Sequence, residues 1–459
     1  VREFDVDYPR VLVVDQMPFG RSTGTSMTLS NLFHGWPRDR LAQIYTANAV
    51  PSTDVCDEYF HFGPSERYLP AQYRTLRLLG WDGSSSFPKM PAIAAVRDAA
   101  DRRRGAARLY SYLCAADDLT PPRFTARLDG WVREFRPDVV YSMLGSVRLA
   151  RLVAHCARVA RVPVVPHFTD DWPATLYAGG EFLGAGARAV RRAIGRLIES
   201  APLGMAISRP MADEYERRYG IPFSVFLNSV GEEFFQARTT QSEPAAPGRP
   251  IRLVYVGALH LERWRSLHAI ATAVESITAA GTPMSLHVHC PAEDQARHGH
   301  LFDGLAHTRV GPALLPDEVP GALHGADVLI HVESFGERLR RYTRYSVSTK
   351  IPQYLAAGRA ILGFGPSEVA SMAHIRTADA GVIVGVQEPS ALLDGLRRLS
   401  RHAEREAFGR HGFEYAVRHH RKSQVAAHFA SVLQSAVDAP AASRVGRSAV
   451  LLDRATGER

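Results

Sequence analysis

Lysine is nearly missing from this chain of 459 residues: only Lys89, Lys350 and Lys422 occur, against 52 arginines. Where arginine is the habitual cation, a lysine stands out as a compact point charge, the form that suits a phosphate oxygen. Cysteine is scarce too. Cys56, Cys114, Cys156 and Cys290 lie far apart, with no C-x-x-C pair and no histidine at metal-ligand spacing. That argues against a disulfide framework and a zinc site, and predicts reduced, mostly buried thiols. No uncharged apolar run approaches the roughly 18 residues of a membrane-spanning helix, and the opening V-R-E-F-D-V-D is too polar for a signal peptide. A soluble, cytoplasmic protein is expected. The net charge of +8 comes without the aromatic–basic interleaving of a single-strand nucleic-acid surface. Nucleic acid is therefore not an expected partner; anionic small molecules or an acidic membrane face fit better.

What is present is an alternation of short β-branched runs with longer amphipathic stretches, the pattern of a parallel sheet covered by helices. Strands are expected at 11–15, 138–143, 162–167, 203–207 and 223–227, and again at 251–256, 285–289, 326–332, 360–364 and 381–384. Between the two sets, residues 237–250 hold three prolines and little that is apolar beyond alanine, which marks a linker. The expectation is an α/β protein of two doubly wound, Rossmann-like halves: 1–240, 241–436 and a mobile tail at 437–459.

Each half opens with a strand running into a glycine-bearing turn, where a doubly wound fold places ligands. In the first, Gly24 is followed by Thr25, so there is no P-loop lysine; Gly20 and Gly24 are four apart, so there is no G-x-G-x-x-G. This turn either lets a ligand approach the backbone at Gly24 and Thr25 or is a plain loop. In the second, Gly257 ends the strand, and Arg263 and Arg265 flank the next helix start, where guanidinium groups could clamp a diphosphate. Residues 331–366 read as a buried strand, an arginine-laden loop, a helix opening at Ser348, Thr349 and Lys350, and a second strand. Two hydroxyls and an ammonium in a first helical turn suit phosphate; the plainer reading is a solvated cap. The strand end at V-V-P-H-F-T-D-D-W-P carries His167 and Asp170, which are either functional or, respectively, a satisfied structural histidine and a turn cap.

Taken in order, these pieces resemble the retaining family 4 glycosyltransferases over residues 9–436. The turn at Gly20 and Gly24 is similar to that family's first loop. M-A-I-S-R-P-M-A-D-E-Y from Met205 and L-N-S-V from Leu227 resemble its S-x-x-M-x-x-x-Y segment and N-x-V turn. Y-V-G from Tyr255 with Arg263 resembles its V-G-x-L and downstream cation, E-S-F-G from Glu333 its E-G-F-G, and Y-L-A-A-G-R-A-I from Tyr354 its E-A-x-A-x-G-x-P-V. The resemblance implies the GT-B fold, two Rossmann-like domains facing across a donor cleft. It implies that the second half binds a nucleotide-diphosphate sugar, with Gly257, Arg265, Glu333, Ser348, Thr349 and Gln353 as contacts and Arg263 and Lys350 on the phosphates. His167 would contact the sugar beside the reacting carbon, with Asp170 orienting it or binding an acceptor hydroxyl. The acceptor would be a glycan, a lipid-linked molecule or a small molecule with a free hydroxyl.

The departures are specific. Gln353 replaces the second acid of the family's E-x7-E and lies twenty residues after Glu333, and Ala258 replaces the arginine of its G-R pair. An amide accepts hydrogen bonds only through its carbonyl oxygen, so ribose contact is weakened. Residues 337–348 form an insert carrying Arg338, Arg340, Arg341 and Arg344, similar to subfamilies whose S-x-K helix start serves the phosphates. No cofactor is implied, and no metal: Asp5 and Asp7 match D-x-D but precede the first strand. A catalytically silent relative that only binds nucleotide or a partner protein is the alternative. Acceptor choice is expected in loops 80–89 and 177–186. Arg188, Arg191, Arg192 and Arg196 share one helical face, and Arg102, Arg103 and Arg104 add a second basic cluster, so peripheral contact with an anionic membrane is also a candidate.

Overall fold

The chain is described by a computed structural model covering residues 8–20, 23–63, 66, 115–178, 182–236 and 249–440. Asp5, Asp7, the loop at 80–89, the cluster at Arg102, Arg103 and Arg104, Cys114, linker residues 237–248 and the tail beyond 440 lie outside the described residues.

Backbone contacts divide the described residues into two units. One holds residues up to Leu227 and from Ser423 onward; the other is Asn228–Lys422. In the first, β1 (Val11–Asp15), β2 (Leu41–Tyr45), β3 (Glu58–His61), β4 (Val139–Met143), β5 (Val164–Phe168), β6 (Gly204–Ala206) and β7 (Phe223–Val225) form a sheet of order β3-β2-β1-β4-β5-β6-β7. In the second, β8 (Ile251–Val256), β9 (Met284–Cys290), β10 (Thr308–Pro312), β11 (Val328–Val332), β12 (Ala360–Phe364) and β13 (Gly381–Val384) follow the order β10-β9-β8-β11-β12-β13. All pairings are parallel. Parallel strands covered on both faces read as continuous apolar runs, and β1, β4, β5, β11 and β12 are buried along their whole length. Strand order reverses direction between β1 and β4 and between β8 and β11. At such a switch point the two following connections part to opposite sides and leave an opening at the strands' carboxyl ends.

The helices that matter below are α1 (Gly24–Leu32), α2 (Val147–Ala160), α3 (Ala185–Glu199), α4 (Arg209–Tyr219), α5 (Arg263–Ala279), α6 (Glu337–Thr343), α7 (Ile351–Ala356), α8 (His402–His419) and α9 (Lys422–Asp438). Two expected boundaries move. The units divide at 227/228 rather than 240/241, because Val230 already bridges Arg421, donating to His420 and accepting from Lys422 within the second unit. The C-terminal helix α9, which the expected division split between second half and tail, belongs to the first unit from Ser423 on. Its apolar stripe of Phe429, Ala430, Leu433 and Ala436 joins that unit's core, with Phe429 edge-on to Phe33 and Tyr141. The cysteines described, Cys56, Cys156 and Cys290, are free and buried. Among the described residues no helix is long and apolar enough to cross a membrane.

Candidate active site

Register in the second sheet brings Val328 of β11 beside Leu253 of β8, so the turns following these two strands emerge side by side. The first turn starts at Gly257, whose φ of +145° disfavours any side chain; a Cβ there would stand 2.0 Å from the Lys350 ammonium. It leads into α5, which begins at Arg263. The second turn starts at Glu333. Its N–H donates to the Phe364 carbonyl at 3.0 Å and its carbonyl accepts from the Ser266 hydroxyl at 3.0 Å, so the backbone carrying this acid is pinned from two elements. The carboxylate is buried with Arg263 Nη2 at 3.6 Å and His331 Nε2 at 3.2 Å.

Lys350 arrives from the far end of the insert. The helix expected to open at Ser348 starts instead at Ile351, with Lys350 as its N-cap residue. The expected arginine loop contains α6, on which Leu339 and Thr343, one turn apart, are buried. The approach to Lys350 is held by two bonds: Asn228 Nδ2 donates to the Thr349 carbonyl at 3.1 Å, and the Ser348 N–H donates to Ser371 Oγ at 3.2 Å. Lys350 Nζ then lies 4.6 Å from the centre of the Tyr255 ring, a cation–π geometry. Tyr354, one turn along α7, accepts from the Val256 N–H at 3.4 Å.

The charges form one system. Burial and the neighbouring Arg263 push the Lys350 ammonium down to about 7, with Glu333 opposing. Burial alone would raise the Glu333 carboxyl, but Arg263, His331 and Lys350 hold it at about 2. Burial, then Arg263 and Lys350, keep His331 below the ordinary histidine range despite Glu333. Below about pH 7 two cations therefore face one carboxylate and one neutral imidazole, an excess of positive charge that a bound anion would balance.

Arg263, Lys350, Glu333 and Gly257 thus come together. Ser348 and Thr349 are half-buried in the same turn, and Gln353 is half-buried on α7. Arg265 does not join: it is exposed, with its guanidinium 5.0 Å over the Trp264 ring, so the expected arginine pair reduces to Arg263. Tyr255 and Tyr354 mark resembling segments but, like His331, have no selected role: all three read as core residues until the strand register is known.

In the first unit, Gly24 and Thr25 open α1, whose N-cap Thr23 accepts from the Ser26 N–H at 3.1 Å. The preceding turn is tied down from outside: Gln43 on β2 accepts from the Phe19 N–H at 2.9 Å and donates to the Met17 carbonyl at 3.1 Å. Asp15, unselected by sequence though visible as an acid ending an apolar run, is buried and accepts from Met143 N–H at 3.0 Å, joining β1 to β4. Burial lifts its carboxyl to about 7 against the hydrogen bonds from Met143, Met17 and Gln16.

His167 stands differently from the expectation. It is fully buried in β5, with Nε2 3.0 Å from the Phe226 carbonyl and Nδ1 2.7 Å from the Tyr141 hydroxyl. One assignment satisfies all three groups: Nε2–H donates to the carbonyl and Nδ1 accepts from the tyrosine. Burial, against the Phe226 bond, pushes its pKa down to about 4. A neutral histidine with both nitrogens engaged offers neither to a sugar in this arrangement, which is that of a satisfied structural residue. Asp170 lies just beyond the strand end and is half-buried, whereas Asp171 is buried and accepts from Tyr215 at 2.8 Å and Arg218 Nη1 at 2.8 Å.

Residues 65–226 match the glycosyl transferase 4-like domain. The solved structure of Anabaena HepE in complex with UDP aligns with a TM-score of 0.59 at 13% identity, covering 93% of this chain and 100% of that one. The UDP-forming α,α-trehalose-phosphate synthase of Burkholderia vietnamiensis aligns at 0.60 with 12% identity, covering 96% and 99%. WaaG, a glycosyltransferase involved in lipopolysaccharide biosynthesis, aligns at 0.51 with 12% identity, covering 91% and 99%. No curated protein matches the chain. At such identities the likeness establishes the fold, and the fold is GT-B.

Proposed function

We propose that this protein transfers a sugar from a nucleotide-diphosphate sugar to a hydroxyl acceptor with retention of configuration, and that the second unit binds the nucleotide. The observation that carries the reading is the convergence of Arg263 and Lys350 beside Gly257 at the β8/β11 switch point, with more positive than negative charge. Arg263 and Lys350 hold the diphosphate; Glu333, itself beside His331, holds Arg263 in place, which makes Glu333 a positioning residue. The acceptor oxygen attacks the anomeric carbon on the face that the diphosphate leaves, the glycosidic C–O bond to phosphate breaks, and the departing phosphate takes the acceptor's proton. The protein's work is to stabilise charge growing on that phosphate with groups already in place. The half-buried Asp170 is the first unit's candidate for an acceptor hydroxyl.

A screen of UDP, GDP, dTDP and ADP for thermal stabilisation tests nucleotide binding, since a ligand at 100 times its Kd adds about 2.7 kcal/mol; no shift with any of them overturns the reading. Transfer and hydrolysis assays with the corresponding sugars separate the enzyme from a silent relative. Gln353, an amide where the resembled family has an acid, favours that second reading, and nucleotide binding without turnover on any donor would establish it. Membrane contact rests on Arg188, Arg191, Arg192 and Arg196, all exposed on α3 while Val190, Ile194, Leu197 and Ile198 are buried; vesicle sedimentation that fades with added salt tests it.

Two further outcomes depend on the geometry. A diphosphate supplies the negative charge that Lys350 lacks, so binding should raise its pKa; above pH 7 binding then takes up a proton, and affinity falls as pH rises. Titration calorimetry in two buffers of different ionisation enthalpy should show the uptake at about pH 8 and lose it in Lys350→Ala. Gly257→Ala places a methyl where the ammonium sits, so turnover should fall at least about tenfold through displacement of Lys350. Unchanged kinetics in that variant would mean the ammonium moves without consequence.

A further inference from the structure

The first unit has a second place built for an anion. Helices α2 and α3 pack side by side with alanines on their facing turns, and the contact leaves a cavity of about 410 Å³, also lined by Pro122 and Phe124. Its walls are apolar, yet four arginines line it: Arg151 and Arg158, two turns apart on α2, and Arg192 and Arg196, one turn apart on α3. Arg151 donates to the Leu119 carbonyl at 2.5 Å. Its charge is disfavoured first by burial and then by Arg148 and Arg196, with Asp118 opposing. Among the described residues no ion pair takes Arg158, Arg192 or Arg196. Guanidinium groups gathered on an apolar cavity repel one another until an anion joins them, and their planar forks suit phosphate.

We propose that this cavity binds a phosphate ester with an apolar body: the phosphate on the arginines, the carbon chain against Phe124 and the alanines. The size lies in the range of small-ligand sites. The site belongs to the first unit alone and does not rest on the nucleotide reading. The same chemistry is offered by an anionic lipid headgroup and by a soluble phosphorylated metabolite.

Hexyl phosphate titrated into the full chain at low salt is the direct probe. It should bind at least about tenfold tighter than inorganic phosphate, because only the ester uses the apolar wall. The double variant Arg192→Glu/Arg196→Glu should weaken it at least about tenfold. Both side chains are exposed, so the variant should keep the wild-type thermal midpoint and any nucleotide-induced shift. A second arm uses phosphatidylcholine vesicles with and without phosphatidylglycerol. Sedimentation with the anionic vesicles that Arg158→Glu loses, with the arginine face of α3 left intact, assigns the cavity to a lipid headgroup; ester binding without vesicle binding assigns it to a soluble ester. Hexyl phosphate binding no tighter than inorganic phosphate, or equally tight in a folded double variant, overturns the proposal.

Discussion

Lys350→Ala is expected to lower turnover by about two orders of magnitude or more, because removing one preorganised contact to a developing charge costs on the order of 3 kcal/mol of barrier. Stability should not follow. The ammonium is held at about 7 in the folded protein, below the roughly 10.4 of an unfolded lysine. Between those values the unfolded chain binds a proton that the folded chain does not, so stability rises with pH across that window. Below pH 7 both forms are charged and the folded state carries the full penalty. The folded value of about 7 already includes the attraction to Glu333, so deleting the side chain removes a net penalty, and Lys350→Ala should be no less stable than wild type. Lys350→Arg should rescue only in part, since a planar guanidinium does not fit the space above Tyr255 that Gly257 leaves open for a single nitrogen. Steady-state kinetics with the donor that the nucleotide screen selects, beside a denaturant melt, give both numbers. Turnover near wild type in the alanine variant would return Lys350 to the role of a helix cap.

Legibility in the sequence followed burial. β1 and β12 stand where the apolar runs placed them, because strands covered on both faces leave an uninterrupted signal; β8 and β13 also match, through β-branched runs that are only partly buried. β2 was missed: Gln43 interrupts the run, and only the structure shows it buried with Phe19 and Met17 as partners. β3 and β10 were missed as edge strands, partly exposed and without a clear period. Lys350 was legible through its rarity and through its place beside Ser348 and Thr349 at an expected helix start. Tyr255, Tyr354 and His331 were not, because their meaning depends on β8 and β11 lying side by side, and pairing across 75 positions leaves no mark in spacing. Arg265 was selected because it flanks the same helix start as Arg263, but residues two apart on a helix point about 160° apart, and here one faces Glu333 and the other lies over Trp264.

His167→Ala is expected to cost about 4 kcal/mol of stability, from the cavity left in a sealed core and from the Phe226 carbonyl and Tyr141 hydroxyl left without their partner. Residue type left two readings of this histidine open and the family resemblance favoured contact with the sugar, since a polar residue near a strand end looks the same whether its partners are a ligand or residues 26 and 59 positions away. The two readings now give opposite results. A histidine at the reacting carbon would leave stability intact and abolish transfer on substitution. A structural histidine should leave kcat/KM within a few-fold under conditions where the variant is still folded, with the loss appearing in the melt. Acid gives a second check: the folded pKa of about 4 lies below the ordinary 6.5, so the unfolded chain binds the extra proton between those values. The stability His167 contributes is complete above about pH 6.5 and is lost as pH falls through 4. The difference in stability between wild type and His167→Ala should therefore shrink across that range, and a difference constant with pH would mean that the ring is not held neutral by its two bonds.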